Sequence, residues 1–334
     1  MKNYKYKKVN KIIIKPFTMQ NLGTIDNAYT ILSVKIKGLD FMICSVRHNQ
    51  TQALHLIEVY KNEIPANLMN IMNNLIAINH PNIMHVIRHG NGPIALNNKP
   101  QVNRPYIVYE NVAHSDLFSY INIQHFTERQ SKLIFKKILE GVQALHNANI
   151  CHKNLNLSSI LLDENYNPKL YMFFLSRINM NNLQDISGNR IYKAPEIINE
   201  QPYDGKIADI FSLGQILFNI VTGCNGFFSA KPNDSFYSHI VEQNIEEYWE
   251  EIYNQIHLIL SDNFKNLFIG MVDPNPAQRP TIVQILNDPW MQEINNLTEA
   301  ERNALENEVR NEFGIREQQI QPNHLNVDFD DDDN

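Results

Sequence analysis

The sequence predicts an α+β protein of two lobes, a small one rich in strands followed by a larger helical one. Short apolar stretches separated by polar breaks occupy residues 29–60 and 105–112, and this pattern is typical of antiparallel strands. After residue 112, apolar residues mostly recur at the three- and four-residue spacing of helices. The chain has 334 residues, of which 43% are hydrophobic, and this is enough for a large buried core.

Four local patterns define the elements of these lobes. Residues 65–78 repeat apolar side chains at helical spacing, namely Leu68, Ile71, Met72, Leu75 and Ile78. Residues 90–104 contain Gly, Pro and Asn and predict a loop. Thr127 and Gln130 form a capping box that begins a long amphipathic helix. Residues 209–221 are apolar nearly all round, which predicts a buried helix.

A further helix is predicted near the C-terminus. Thr298 and Glu301 form a second capping box, and Gly314 is expected to end this helix. Its apolar stripe either packs on the body of the chain or binds a partner protein. The acidic residues 322–334 are expected to be disordered.

The charge distribution argues against nucleic acid as a partner. The formal net charge is −7, with six lysines in the first fifteen residues and five aspartates in the last seven. The long body between these ends is acidic and would repel a phosphate backbone. No apolar run approaches the roughly 18 residues that a membrane span needs.

Cysteine usage indicates a reducing compartment. Cys44, Cys151 and Cys224 are far apart and lack the spacing of metal ligands, so neither a disulfide framework nor a metal site is expected. We therefore expect an intracellular, cytoplasmic protein.

Short motifs follow one another in a fixed order between residues 29 and 291. They are His80-Pro81-Asn82-Ile83, Val108-Tyr109-Glu110, Asp116-Leu117, Ile150-Cys151-His152-Lys153-Asn154-Leu155, Ala194-Pro195-Glu196, Asp209-Ile210-Phe211-Ser212-Leu213-Gly214, Asp273-Pro274-Asn275-Pro276-Ala277-Gln278-Arg279-Pro280 and Asp288-Pro289-Trp290-Met291. Together they resemble the motifs of a eukaryotic protein kinase domain, closest to the calcium/calmodulin-dependent and AMP-activated kinase group. Each motif is weak alone, but their common order and spacing make the resemblance specific.

The resemblance implies a bilobal protein-kinase fold and a division of the chain. The kinase-like domain is expected at residues 29–291, with lobes at 29–111 and 112–291. Residues 1–28 would be a basic extension, residues 292–321 a helical extension and residues 322–334 an acidic tail.

The resemblance also implies that this chain replaces residues for phosphoryl transfer in the N-terminal lobe. Glu58 stands where the family has a phosphate-binding lysine, so the charge at this position is reversed. Ile71 stands where the family has the glutamate that orients this lysine.

Similar replacements occur in the C-terminal lobe. Asn154 stands in place of the aspartate base, and an amide does not accept a proton from a substrate hydroxyl. Asn156 replaces the lysine of the catalytic loop, and Ser159 replaces a metal-binding asparagine. Met172 replaces the metal-binding aspartate, although Mg²⁺ requires oxygen ligands.

The positions that would surround a nucleotide are also altered. The remnant cleft positions are Ile36, Gly38, Ile43, Leu56, Tyr109, Glu110 and Leu161. Of the glycines in the phosphate-binding loop only Gly38 remains, and Phe41 would obstruct the backbone there. Leu56 and the aromatic residues around Met172 are expected to plug the cleft, with an apolar ligand pocket as the alternative. We therefore expect no cofactor, with the binding of both ATP and Mg²⁺ lost.

The residues that support the fold are retained. The resemblance implies that Leu75, Phe173, His152 and Asp209 form a packing column through both lobes. It also implies a buried ion pair between Glu196 and Arg279 that anchors the activation segment, residues 172–196, to the larger lobe. Removing one partner of such a pair costs about 3–5 kcal/mol, which gives a structural reason for retention.

These observations predict a catalytically inactive kinase-like protein, a pseudokinase rather than an enzyme. It would act as a scaffold, structural component or allosteric partner in an intracellular assembly. Its partners would be proteins, such as an active kinase or a larger cytoskeletal-type assembly. Two alternatives remain, a nucleotide-binding sensor without transfer and a degenerate serine/threonine protein kinase with residual activity. Lys153 has an additional possible role, the binding of a phosphate on the activation segment.

Overall fold

The N-terminal lobe is an antiparallel sheet covered by one helix. The computed structural model describes residues 22–37, 40–96, 100–178 and 180–320. Strand neighbours follow the order β1-β2-β3-β4-β6-β5, and β1 also pairs with β5. The elements are β1 (Gly23–Ile25), β2 (Tyr29–Lys37), β3 (Phe41–His48), β4 (Leu54–Tyr60), α1 (Ala66–Ala77), β5 (Val86–Leu96) and β6 (Val102–Tyr109).

Helix α1 forms where the apolar spacing predicts it. It begins after Pro65, whose fixed φ suits a helix start, and ends at Ile78, which has extended backbone. Its buried face consists of Leu68, Ile71, Met72 and Leu75.

The loop predicted at residues 90–104 is wrong at both ends, where β5 continues to Leu96 and β6 begins at Val102. Strand β5 continues through Gly90 and Pro93 to Leu96, pairing with β6 along the way. Gly90 permits this because a Cβ atom there would meet the Tyr106 hydroxyl oxygen at 2.8 Å. The glycine thus serves close packing inside a strand rather than a turn.

The C-terminal lobe is mainly helical, which confirms the predicted bilobal α+β fold. Its elements are α2 (Leu117–Ile121), α3 (Glu128–Asn147), β7 (Ile150–Cys151), β8 (Ile160–Leu162), β9 (Pro168–Leu170), β10 (Arg177–Ile178), α4 (Pro195–Ile198), α5 (Gly205–Thr222), α6 (Tyr237–Val241), α7 (Ile245–Ile256), α8 (Asp262–Met271), α9 (Ile282–Leu286), α10 (Gln292–Asn295) and α11 (Glu299–Glu317). The strands of this lobe form two small antiparallel pairs, β8 with β9 and β7 with β10.

Two long helices, α3 and α5, form the centre of the C-terminal lobe's core. Thr127 and Gln130 form the predicted capping box at the start of α3. Helix α5 is buried nearly all round, as its continuous apolar sequence predicts, and ends at Gly223 with a left-handed φ of 74°. One core cluster of buried side chains extends from α1 of the smaller lobe through α3 and α5 of the larger one. Within the described ranges, no helix is both long enough and apolar enough to cross a bilayer.

Helix α11 packs on the body of the chain. Leu305, Val309 and Phe313 are buried, and the Phe313 ring lies 4.8 Å from the ring of Phe126 and 5.1 Å from that of Tyr120. The predicted end at Gly314 is wrong, because the helix continues to Glu317.

Contacts of the last turn explain this extension. The Arg316 guanidinium lies 3.6 Å from the centre of the Phe126 ring and donates to the backbone carbonyls of Gln124 and His125 at 2.5 and 2.9 Å. Glu317 accepts from His114 at 2.9 Å and from the Tyr166 hydroxyl. These contacts outweigh the helix-breaking tendency of one glycine, which costs about 1 kcal/mol.

We expect Phe313→Ala to lower the free energy of unfolding by about 3–5 kcal/mol, because it empties a fully buried aromatic site. Urea denaturation followed by fluorescence measures this change. Ile315→Ala, at a side chain 55% exposed on the same helix, serves as the matched control. A loss below about 1 kcal/mol for Phe313→Ala would contradict a packing role for α11.

Candidate active site

A buried carboxylate joins the two lobes. Glu58 in β4 is 4% exposed and accepts hydrogen bonds from the hydroxyls of Tyr60 at 2.8 Å, Tyr109 at 3.1 Å and Tyr171 at 2.6 Å. Tyr60 and Tyr109 belong to the smaller lobe, whereas Tyr171 follows β9 of the larger lobe. We call these four residues the Glu58 cluster, and its Tyr171 bond crosses between the lobes.

The Glu58 cluster is held by hydrogen bonds rather than by a cation. Burial raises the pKa of Glu58, and the three hydrogen bonds from the tyrosines lower it by less, so the net shift is upward. Burial and the nearby Glu58 charge raise the pKa of both Tyr109 and Tyr171 well above the usual value, so both hydroxyls remain donors.

Four of the predicted cleft positions belong to the core. Ile43, Leu56, Tyr109 and Leu161 are each at most 2% exposed and lie in the cluster that spans both lobes. Ile71, at the position of the family's orienting glutamate, is buried in the same cluster. Gly38 and the side chain of Ile36 lie outside the described residues.

The carboxylate of Glu110, next to Tyr109, accepts hydrogen bonds from two groups of the protein. Its Oε1 atom accepts from the backbone N–H of His85 at 2.8 Å and from Lys169 Nζ at 2.7 Å. The carboxylate therefore fixes the connection between the lobes to the strand that precedes Tyr171.

Aromatic side chains pack at the outer side of the Glu58 cluster. The Phe41 ring lies 6.0 Å from those of Tyr60 and Phe174, from opposite lobes. Met172 has a left-handed φ of 66° and packs against the main core. Such a backbone conformation is unusual for a residue with a Cβ atom and persists only where the surroundings impose it.

Asp209 of α5 holds the loop of residues 150–159. Its carboxylate accepts from the backbone N–H groups of His152 and Lys153, both at 2.8 Å, and lies 2.9 Å from His146 Nε2. The His152 ring lies 5.2 Å from the buried ring of Phe173, and its Nε2 atom lies 2.9 Å from the carbonyl oxygen of Tyr171. The loop is therefore joined both to α5 and to the start of the activation segment.

Polar side chains in the same loop are bound to one another. Asn156 and Ser159 form a reciprocal cap, with Asn156 N–H donating to Ser159 Oγ at 3.0 Å and that hydroxyl donating to the Asn156 carbonyl at 2.9 Å. Asn156 Nδ2 also donates to the carbonyl oxygen of Asn154 at 2.7 Å. Asn154 is half-buried beside Asn189 and Tyr192, so its amide borders a small surface pocket.

Glu196 and Arg279 form a bidentate buried pair. Both bonds from the guanidinium to the carboxylate measure 2.7 Å, and the Arg279 side chain is fully buried. The guanidinium also lies 4.9 Å from the centre of the Phe211 ring in α5. This pair fixes the end of the activation segment to the larger lobe.

Comparison with known proteins identifies the family. The family description "Protein kinase domain" matches residues 41–291, three quarters of the chain. The chain belongs to the protein kinase family. The relatives include "Abscisic acid-inducible protein kinase" of Triticum aestivum, 28% identical over 263 residues that cover 76% of this chain and 74% of that protein. "Serine/threonine-protein kinase SAPK2" of Oryza sativa subsp. japonica is 28% identical over 258 residues, covering 76% and 72%. "NUAK family SNF1-like kinase 1" of Homo sapiens is 29% identical over 220 residues, covering 64% of this chain and 30% of that longer protein.

These comparisons confirm the resemblance and contradict two further expectations. The prediction that the chain is not an enzyme is wrong, because the relatives are named as protein kinases, several of them as serine/threonine kinases. The prediction that no cofactor is used is wrong on the same finding, because protein kinases act on ATP held with Mg²⁺.

In the arrangement described, the residues of the crevice do not fit a magnesium-bound triphosphate. A phosphate group beside β4 would meet the Glu58 carboxylate, and Met172 offers a thioether where Mg²⁺ requires oxygen. Among the described residues, no three His, Cys, Asp or Glu side chains converge as a ready metal site.

Sequence reasoning missed several residues of this site. Tyr60 and Tyr171 were not assigned to Glu58, although each is a polar residue at the end of an apolar strand pattern. In β2, Lys35 was missed as a buried basic side chain, since it is only 6% exposed and burial lowers its pKa to about 8. Its signal was a lysine inside an apolar strand. Asp185 was also missed.

We expect the difference in free energy of unfolding between the wild type and Glu58→Gln to change with pH. Above pH 4.5, the ordinary pKa of a glutamate, the wild type should lose stability relative to the variant. A raised pKa in the folded state means that the folded protein keeps a proton which the unfolded chain loses. The contribution of Glu58 to the free energy of unfolding is thus complete below pH 4.5. It is lost as the pH rises from there to the raised pKa of the folded state, by about 1.4 kcal/mol per pH unit.

Urea denaturation of both proteins across this pH range measures the difference. Glu63→Gln, at an exposed position near the end of β4, is the matched control. A relative stability of the wild type that increases with pH would show that Glu58 is charged and stabilised in the fold.

Proposed function

We propose that this protein is a degenerate serine/threonine protein kinase, which transfers phosphoryl groups slowly and only from a form in which the Glu58 cluster is opened. One observation carries the proposal. Asp209 and the Glu196–Arg279 pair hold the loop of residues 150–159 and the activation segment in an assembled state, with Asn154 at a surface pocket. Phosphoryl transfer depends mainly on such positioning.

Two features argue for a slow reaction. Asn154 does not act as a base, and general-base catalysis contributes about 10²–10⁴-fold to rate. The interlobe bond between Tyr171 and Glu58 must also break before the crevice can change shape. The family membership and the names of the relatives support a phosphoryl transferase. The replaced residues at the kinase positions are the reason for describing it as degenerate.

A second proposed role is that of a scaffold or allosteric partner for another protein, such as an active kinase in an intracellular, cytoplasmic assembly. The observation that favours it is the direct bonding of the two lobes through Tyr171 and Glu58, which gives a fixed surface without a ligand. Under this role, proteins that co-purify from cells would be the same for the wild type and Asn154→Ala. We also propose residues 29–291 as the kinase-like domain, with residues 292–321 as an extension.

Asn154→Asp should raise the incorporation of labelled phosphate by about 10²-fold, because it restores a carboxylate at the base position. Asn154→Ala is the matched control and should leave incorporation near the wild-type level, because the amide does not act as a base, while melting temperatures confirm that all three proteins are folded. Wild-type incorporation no greater than that of a reaction without the protein would contradict the proposed transferase function.

Tyr171→Phe should strengthen the thermal stabilisation of the protein by magnesium-bound ATP, corresponding to about a tenfold lower Kd. It removes one hydrogen bond to a carboxyl group and so favours the opened form. Tyr60→Phe removes a bond to the same Glu58 but within one lobe, and should have no such effect. Equal effects of the two variants, or no stabilisation by ATP in either, would contradict the opening step.

A further inference from the structure

Lys153 carries a buried charge in the loop of residues 150–159. Its side chain is 1% exposed, and its backbone has a left-handed φ of 62° with the N–H group bound to Asp209 at 2.8 Å. The backbone and side chain are therefore both fixed. A buried ammonium group is stable only beside an anion.

The anion comes from the activation segment. Both carboxylate oxygens of Asp185 accept from Lys153 Nζ, although the two residues are 32 positions apart. Arg177 Nε lies 3.7 Å from the same carboxylate, and the Ser187 hydroxyl donates to it at 2.5 Å. Strand β10 brings Arg177 to this place by pairing with β7.

Neighbouring contacts fix the backbone around Asp185. The Tyr203 hydroxyl donates to the carbonyl oxygen of Asp185 at 3.0 Å, and the Tyr203 ring lies 5.6 Å from Lys153 Nζ. Leu183 and Tyr203 exchange two backbone hydrogen bonds of 2.9 Å. The middle of the activation segment is thus tied to the chain that precedes α5.

The charges at this place are coupled. Burial alone would raise the pKa of Asp185, but the hydrogen bonds from Lys153 and Ser187 outweigh it, and the net shift is downward. The carboxylate is consequently charged at neutral pH. Burial also lowers the pKa of Lys153, although the bond to Asp185 raises it, and Arg177 is the second basic side chain that faces this carboxylate.

We infer that Asp185 is a positioning residue, a built-in anion that locks the activation segment onto the loop of residues 150–159 without any added phosphate. The lock goes beyond the proposed transferase function and does not depend on it. Loss of the Asp185 carboxylate would leave Lys153 buried without a counter-ion and release the segment between Arg177 and Glu196.

Limited proteolysis with trypsin tests the lock, because Arg190 lies exposed within the segment. Asp185→Ala should be cleaved there at least about tenfold faster than the wild type, since segment opening controls the rate. Asp185→Glu, which keeps the charge, should remain close to wild type. Gln184→Ala, at an exposed neighbouring position, is the matched control.

The effect of inorganic phosphate or sulfate on the cleavage rate distinguishes an anion-binding role of this place from a merely structural one. Either anion should slow cleavage of Asp185→Ala by occupying the vacated place between Lys153 and Arg177, and should have no effect on Asp185→Ala combined with Lys153→Met. Unchanged cleavage of Asp185→Ala would overturn the inference. Faster cleavage that neither anion reverses would overturn it as well.

Discussion

The larger lobe depends on one carboxylate, that of Asp209. From the second turn of α5 it accepts hydrogen bonds from two successive backbone N–H groups and contacts His146 of α3. It is 1% exposed, so these bonds form in a region of low dielectric where they are strong and where an unpaired carboxylate would be costly. The loop they define positions Lys153, which binds Asp185 in the middle of the activation segment, and His152, which contacts Phe173 at its start.

The crevice between the lobes shows how the family framework accommodates a reversed charge. A glutamate at a fully buried position needs either a cation or several donors, and here three tyrosine hydroxyls supply the donors. The same bonds connect the smaller lobe to the residue before Met172. Membership of the kinase family is compatible with a closed crevice if the crevice opens, by rearrangement of the Glu58 cluster, before any reaction.

Local patterns predicted much of the fold. The apolar spacing of α1, the capping boxes of α3 and α11, and the continuous apolar sequence of α5 each depend on neighbours within one element, and each is found in the structure. The extension of β5 beyond Gly90 and of α11 beyond Gly314 depends on contacts with distant residues, Tyr106 and Phe126, which periodicity does not reveal. Local propensity was overridden there by tertiary packing.

The site was less predictable for a related reason. The tyrosines around Glu58 come from positions 60, 109 and 171, and the partner of Lys153 lies 32 residues away. Chain spacing carries no signal for such pairs. The conclusion that replaced residues mean no enzyme was wrong against the relatives, because it treated each position as if its neighbours were unchanged.

The last turn of α11 has a mechanical consequence. Through Glu317 it bonds to Tyr166, in the turn that links β8 to β9, and β9 leads directly to Tyr171 and Met172. Tension applied to the chain near residue 320 would therefore act first on the bonds of this last turn, and the bond from Tyr166 to Glu317 would pass part of it to β9 and the boundary between the lobes.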